Sequence, residues 1–174
     1  PLLVKREQIT AGLSRIQRTA DGSSYAFSAL TLEETDPPVE DLGSELQTYE
    51  HLQHLYLSKN GIRDLSSIAH LTQLLTVNAS TNAIGSIKFL EEYAGTDRLQ
   101  FLQRLDLSSN KVRELSSIPQ PRLSWLNLSQ NSIKTCADFA GHDVLLTLIM
   151  SENKLANCAG LAAMPKLLEL NLNG

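Results

Sequence analysis

The chain has 174 residues, of which 42% are hydrophobic and 20% are charged, and its net charge is −4 at pH 7. An acidic balance counts against a nucleic-acid surface, because such surfaces are usually basic. No apolar run reaches the roughly 18 residues that a membrane-spanning helix needs, so the sequence predicts neither a nucleic-acid partner nor a membrane partner.

The N-terminal segment has the periodicity of an amphipathic helix. Ile9, Leu13 and Ile16 fall at positions i, i+4 and i+7, and charged residues occupy most of the remaining face. We therefore predict a helix over residues 5–18, ended by the turn-forming residues 21–24.

The next segment has the spacing of a repeat that recurs later in the chain. Residues 27–32 alternate as a strand with one buried face would, but Thr35 stands where the later copies have asparagine. We predict that residues 1–51 form a cap, made of the N-terminal helix and a degenerate first repeat.

A nine-residue phrase organises the rest of the chain, and residues 102–110 are its cleanest copy. Leucine occupies the first, fourth and sixth places and asparagine the ninth, which matches the leucine-rich-repeat signature. The copies begin at residues 52, 74, 102, 123, 145 and 167, mostly 22 residues apart. Residues 52–174 are thus predicted to hold five full repeats and a sixth that the last residue cuts short.

The phrase predicts how each repeat folds. Leu105 and Leu107 alternate with Arg104, Asp106 and Ser108, as in a short strand with one buried face. One repeat cannot bury its own leucines, so neighbouring repeats must stack. The predicted fold is an α/β leucine-rich-repeat solenoid with a parallel β-sheet on the concave face, short 3₁₀ or helical turns on the convex face, and an N-terminal helical cap.

The ninth-place asparagines have a structural role in this prediction. The chain turns sharply after each strand and leaves backbone N–H and C=O groups inside, and an asparagine side chain can satisfy both kinds of group. We expect a buried ladder formed by Asn60, Asn82, Asn110, Asn131 and Asn153.

The second full repeat is longer than the others. Its extra residues lie within 85–101, where Ser86 is placed to cap a helix that runs to Gly95. This insertion should bulge from the convex side. It is either a tolerated insertion or a docking element.

The far end of the stack is predicted to be open. Leu170 and Leu172 lie in the last strand, and no repeat covers them in this sequence. We expect that either more chain or a partner protein covers this end.

The sequence contains no arrangement typical of an enzyme. The four histidines are scattered and predicted to lie on the surface, and Cys136 and Cys158 take equivalent places in consecutive repeats, where we expect small buried core residues. We predict no catalytic residue, metal site, cofactor or small-molecule substrate. The low cysteine content favours a reducing, cytoplasmic compartment.

The outward strand positions are the candidate binding surface. Trp125, the only tryptophan, stands near the centre, and aromatic residues and arginine are enriched at binding hot spots. The candidate protein-binding residues on this concave face are Tyr56, Arg104, Asp106, Trp125, Asn127 and Ile149. The alternative is a tryptophan half-buried against its own neighbours.

The opening of the chain resembles one group of the 22-residue intracellular repeat class. Residues 7–14, 19–22, 25–27 and 30–32 are similar to the start of the leucine-rich-repeat protein of ciliary and flagellar radial spokes, and the likeness continues through residues 52–65. This resemblance implies a structural protein of the axoneme that assembles with other radial-spoke proteins on doublet microtubules. A phosphatase-regulatory repeat module and an RNA-processing adaptor remain alternatives.

Overall fold

The computed structural model describes residues 1–174 and shows a solenoid built on one sheet. Its two helices are α1, Arg6–Gly12, and α2, Phe89–Glu92, and two 3₁₀ turns span Glu45–Thr48 and Ser66–His70. The strands are β1 Leu13–Arg18, β2 Tyr25–Thr31, β3 His54–Tyr56, β4 Thr76–Asn78, β5 Arg104–Asp106, β6 Trp125–Asn127, β7 Thr147–Ile149 and β8 Glu169–Asn171.

The eight strands lie in the sheet in chain order. β1 and β2 form an antiparallel hairpin, and every later neighbour pairs in parallel. The register is constant, since Leu55, Val77, Leu105 and Leu126 are partners across β3 to β6. The strand assignments made from the leucine phrase are therefore confirmed, as is the leucine-rich-repeat solenoid.

The leucines of the phrase form a continuous core. A single cluster of 40 buried residues extends from Val4 to Met164, and Leu55, Leu105 and Leu148 are fully buried in it. Each repeat thus buries its apolar face against its neighbours rather than against itself. On the convex side, Ile62 and Leu65 precede the short 3₁₀ turn at Ser66–His70, and Ile68 lies within it. The second full repeat has α2 on this side, and the repeats from residue 102 onward cross it by turns and extended chain.

The predicted helix over residues 5–18 is wrong in its second half. α1 ends at Gly12, and residues 13–18 form β1, with Ile16 67% exposed rather than packed in the core. A Cβ atom at Gly12 would collide with the carbonyl oxygen of Thr31, so this close approach favours glycine. Pairing with β2 covers an otherwise unpaired strand edge, and this non-local pairing overrides the local helical pattern.

The insertion of the second repeat packs on the convex side. Phe89 and Leu90 of α2 are buried, and the Gln120 side-chain amide donates to the Leu90 carbonyl oxygen at 2.8 Å. Lys88 forms an ion pair with Glu114 at 2.9 Å. The helix is shorter than predicted, although Ser86 Oγ does accept a hydrogen bond from the N–H of Lys88 at 3.2 Å.

Two predictions about single residues are also wrong. Cys136, which the fifth repeat contacts at Gly160, is buried as predicted, whereas Cys158 is exposed. His142 is buried rather than on the surface, and its Nδ1 accepts hydrogen bonds from the N–H groups of Val144 and Leu145 at 3.3 and 3.0 Å. Neither helix has the length and apolar content that crossing a membrane requires.

Candidate functional site: the concave face of the sheet

The constant register places the candidate binding residues in two rows across the sheet. Arg104 and Trp125 are direct partners on β5 and β6, between Thr76 and Thr147. The second row runs from Tyr56 through Asn78 to Asp106, Asn127 and Ile149. Five of the six candidate residues are therefore contiguous, and Tyr56 is separated from Asp106 by the strand that carries Asn78.

Arg104 stacks on Trp125 at the centre of this face. The guanidinium carbon lies 3.4 Å from the centroid of the indole ring, which is the geometry of a cation–π contact. The tryptophan is half-buried and the arginine is exposed. Part of the indole surface is thus covered by its own neighbour, as the alternative of local packing expects, and the binding role of Trp125 stays a prediction.

The two polar candidates in the second row have local structural roles. Oδ1 of Asp106 accepts hydrogen bonds from the N–H and the Oγ of Ser108 at 3.0 and 2.7 Å. Oδ1 of Asn127 accepts one from the N–H of Ser129 at 3.0 Å. Asn78 and Asn171 do the same for the residues two places later. The sequence signal for these Asx turns is an Asp or Asn at the last strand position, and we overlooked it.

Each ladder asparagine follows a residue in the left-handed conformation. The residue just before the ladder asparagine has a φ of 57° at Lys59, 55° at Thr81 and 55° at Ser109. Gln130 and Glu152 have the same conformation. Their side chains connect neighbouring repeats along the edge of the face, since Ser109 Oγ donates to Gln130 and Gln130 Nε2 donates to Glu152 at 3.1 Å.

The asparagine ladder lies directly beneath this edge, and Asn110 shows its geometry. Nδ2 of Asn110 lies 2.9 Å from the carbonyl oxygen of Ala79 and 3.1 Å from that of Leu107, while Oδ1 accepts from the N–H of Ile84 at 3.0 Å. Each ladder residue therefore binds backbone groups of its own repeat and of the preceding one. The equivalent donor contacts belong to Asn60, Asn82, Asn131 and Asn153.

Thr35 occupies the ladder position of the degenerate repeat and replaces part of the asparagine's function. Its hydroxyl donates to Oδ1 of Asn60 at 2.5 Å and accepts from the N–H of Val39 at 3.0 Å. The ladder is thereby extended to the cap without an asparagine.

One histidine contributes to the electrostatics of the face. His54 lies on β3 beside Thr76, and burial together with the nearby positive charge of Arg15 holds its pKa below the ordinary value. The imidazole is therefore neutral at pH 7, and the charges nearest the centre of the face are those of Arg104 and Asp106.

The sequence and the fold both have relatives among known proteins. The pattern of the family described as leucine-rich repeats (2 copies) matches residues 50–92. Leucine-rich repeat-containing protein 23 from Homo sapiens is 32% identical over 133 residues, which is 76% of this chain and 36% of that protein. Its Bos taurus counterpart is 31% identical over 127 residues, 73% of this chain and 34% of the other. The chain thus spans about a third of the length of these curated relatives.

A solved structure shares the architecture. Internalin C2 from Listeria monocytogenes superimposes with a TM-score of 0.69 at 26% sequence identity, covering 83% of this chain and 61% of that one. The repeated phrase, the constant register of the stacked strands and these likenesses identify the chain as a leucine-rich-repeat protein.

Proposed function

We propose that this chain is a non-catalytic scaffold that binds other proteins through the concave face centred on Arg104 and Trp125. The observation that carries the proposal is the stacked pair itself, which combines a large aromatic surface with an exposed guanidinium. Arg104 takes part in none of the ion pairs of the structure, which join His51–Glu50, Lys59–Glu34, Arg63–Glu40 and Lys88–Glu114. Its donors are therefore available to a partner, and stacking reduces the conformational entropy that binding would cost.

We further propose that the assembly is a radial spoke of a motile cilium or flagellum. The support is the resemblance of residues 7–14, 19–22, 25–27 and 30–32, continued through residues 52–65, to the radial-spoke leucine-rich-repeat protein, and it is independent of the Arg104–Trp125 pair. In this role the partners are other radial-spoke proteins on the doublet microtubule, and the chain acts in the axoneme.

The double variant Arg104→Ala, Trp125→Ala tests the binding face in ciliated cells that lack the endogenous protein. We expect the variant to fold, since both residues lie on the outer face, and to be reduced in isolated axonemes, because truncation of a hot spot costs about 2 kcal/mol or more. Crosslinking mass spectrometry on the native assembly would identify the partner.

The control must leave the core intact. Deleting the insertion is unsuitable, because Ile87, Phe89 and Leu90 are buried. Glu91→Lys, Glu92→Lys changes the exposed part of α2 instead. If the concave variant is incorporated into axonemes normally and the α2 variant is not, the interface lies on the convex side instead. Recovery of the chain with a phosphatase or with RNA, and not with axonemes, would contradict the radial-spoke assignment.

A further inference from the structure

The N-terminal hairpin of β1 and β2 exposes apolar side chains, among them Ile16, which the predicted helix would have placed in the core. Residues directly opposite on antiparallel strands face the same side, and Ile16 is paired with Phe27 and Arg18 with Tyr25. These four residues form what we call the hairpin patch. Ile16 is 67% exposed, Tyr25 69% and Phe27 42%.

The hairpin patch differs from ordinary scattered exposure. Single apolar residues on a surface are normal, whereas adjacent exposed apolar side chains mark interaction sites. Two aromatic rings beside an arginine also have the composition of a binding hot spot. Phe27 is partly covered, whereas Ile16 and Tyr25 keep about two thirds of their surface exposed.

The N-terminal segment that carries the patch has a net charge opposite to that of the rest of the chain. Residues 1–31 contain four basic and two acidic residues, so their formal charge is +2, and residues 32–174 carry −6. The four cations, Lys5, Arg6, Arg15 and Arg18, are all exposed, and none takes part in an ion pair.

The negative charge at the tip of the hairpin is committed to the turn. Hydrogen bonds from Thr19 and Ser23 lower the pKa of Asp21 to about 2. The Asp21 carboxylate accepts from the Thr19 hydroxyl at 2.5 Å and from the Ser23 hydroxyl at 2.7 Å. The carboxylate is therefore ionised at neutral pH, but it forms no ion pair with Arg15 or Arg18, and both guanidinium groups stay unpaired.

The outer edge of β1 is a poor site for an added strand. Arg15 has a φ of 55°, and its carbonyl oxygen accepts the Ser28 hydroxyl at 2.7 Å, within the hairpin. This kink interrupts the extended edge at its centre, and kinks and charged residues are known obstacles to edge pairing. The open surface of the hairpin is its face rather than its edge.

We propose that the hairpin patch binds an acidic segment of a partner protein, whose apolar side chains pack on Ile16, Tyr25 and Phe27 and whose carboxylates approach Arg18. The charge asymmetry selects this occupant, because a basic or neutral segment would gain nothing from the unpaired cations. The patch is a second interface, at the opposite end of the chain from β8, and it does not depend on the function proposed for the concave face.

The probe is a fluorescein-labelled synthetic peptide that alternates glutamate with leucine and phenylalanine, and the measurement is fluorescence anisotropy with the whole 174-residue chain. We expect saturable binding that weakens with added salt. The variant Tyr25→Thr, Phe27→Thr keeps residues that favour strands and should weaken binding by about tenfold or more. Arg18→Gln should weaken binding and flatten its salt dependence.

Matched variants separate this site from the other surfaces. Leu168→Thr removes an exposed leucine at the opposite end, and Arg104→Ala, Trp125→Ala removes the concave centre; both should bind the peptide like the unchanged chain. A peptide with lysine in place of glutamate should not bind. Melting temperatures and circular dichroism establish that each variant is folded.

Several results would overturn the proposal. The proposal is wrong if the variant Tyr25→Thr, Phe27→Thr binds the peptide as tightly as the unchanged chain does. It is also wrong if Leu168→Thr weakens peptide binding as much as that variant does. Light scattering that shows a dimer abolished by Tyr25→Thr, Phe27→Thr would assign the patch to a second copy. Binding to phosphatidylserine vesicles, without binding to the peptide, would assign it to a lipid surface.

Discussion

Asn110 shows how single polar residues hold consecutive repeats together. Its amide binds carbonyl groups of two repeats, and its oxygen binds the N–H of Ile84. Asn110→Ala should lower the free energy of unfolding by about 1–3 kcal/mol for each backbone group left unpaired. Leu107→Ala should cost about 2–5 kcal/mol, through lost burial and a cavity. Thermal and urea melts measure both changes.

The neighbouring Asp106 tests the assignment of inward and outward positions. From its outward location alone one would expect almost no effect of Asp106→Ala, but the side chain accepts two hydrogen bonds from Ser108. We expect a loss of about 1–2 kcal/mol for these two part-buried hydrogen bonds, and a smaller loss for Asp106→Asn. A loss larger than that of Leu107→Ala would contradict the register.

Thr81 is the β-branched residue among the left-handed positions. Its φ is 55°, a conformation that β-branched residues rarely adopt. Thr81→Asn should raise the free energy of unfolding by about 1 kcal/mol, because asparagine tolerates this conformation better. Thr31→Asn is the control, since Thr31 is an exposed residue in an extended strand. An equal gain at Thr31 would refute a conformational cause.

His142 should make stability depend on pH. Its Nδ1 accepts two backbone N–H groups and its Nε2 lies 3.1 Å from the Gln120 carbonyl oxygen, so the neutral ring is fully satisfied. Burial, the largest effect, lowers its pKa in the folded state. The unfolded chain therefore binds the proton more tightly, and stability should fall as the pH drops below about 6.5, the ordinary histidine value.

The variant His142→Asn isolates this contribution. Asparagine can still accept from the N–H groups of Val144 and Leu145 but does not titrate. Urea melts between neutral and mildly acidic pH should show a shallower slope for the variant than for the unchanged chain. His54 also has a lowered pKa, so His54→Asn is measured in parallel. Identical pH slopes for His142→Asn and the unchanged chain would exclude His142 as the titrating group.

At the scale of the element, the insertion of the second repeat is part of the core rather than an appendage. Leu90 is fully buried and its carbonyl accepts from Gln120 of the next repeat. Leu90→Ala should destabilise the chain by about 2–5 kcal/mol, whereas Glu92→Ala, on the exposed side of α2, should change stability by less than about 0.5 kcal/mol. Equal effects in thermal melts would mean that α2 does not pack as described.

The two termini of the sheet differ in how they are closed. At the N-terminal end, β1 covers β2, and α1 packs Ile9 into the core. At the other end, β8 has a neighbour on one side only, and Leu168 and Leu170 are 84% and 43% exposed. In a solenoid, each repeat is stabilised by its interfaces with the adjacent repeats. The end at β8 should therefore unfold locally more easily than the N-terminal end.

For the whole molecule, hydrogen exchange should detect this asymmetry. In the isolated 174-residue chain, we expect the amides of β8 to exchange faster than those of β5, because β8 has a neighbouring strand on one side only. Fusing a polar capping repeat after residue 174 should slow exchange in β8 and raise solubility. Equal protection of β8 and β5 without the cap would contradict this prediction.

The sequence alone determined the stacked repeats and their register. The leucine pattern of Leu102, Leu105 and Leu107 recurs about every 22 residues. Within each copy, apolar residues alternate with polar ones, so the repeats form stacked short strands with one buried face. It also placed Arg104 and Trp125 on neighbouring strands, because the register follows once the leucines are aligned. Their stacking distance of 3.4 Å required the structure.

Only the tertiary structure decided the cap and the two ends. Residues 13–18 have a helical apolar pattern, but pairing with β2 gives backbone hydrogen bonds that no local pattern can anticipate, and the pairing turns Ile16 outward. Burial of His142 and exposure of Cys158 likewise depend on whether another repeat covers each of them. The apolar pattern of a segment shows which of its side chains could be buried, whereas contact with a neighbouring segment decides which of them are.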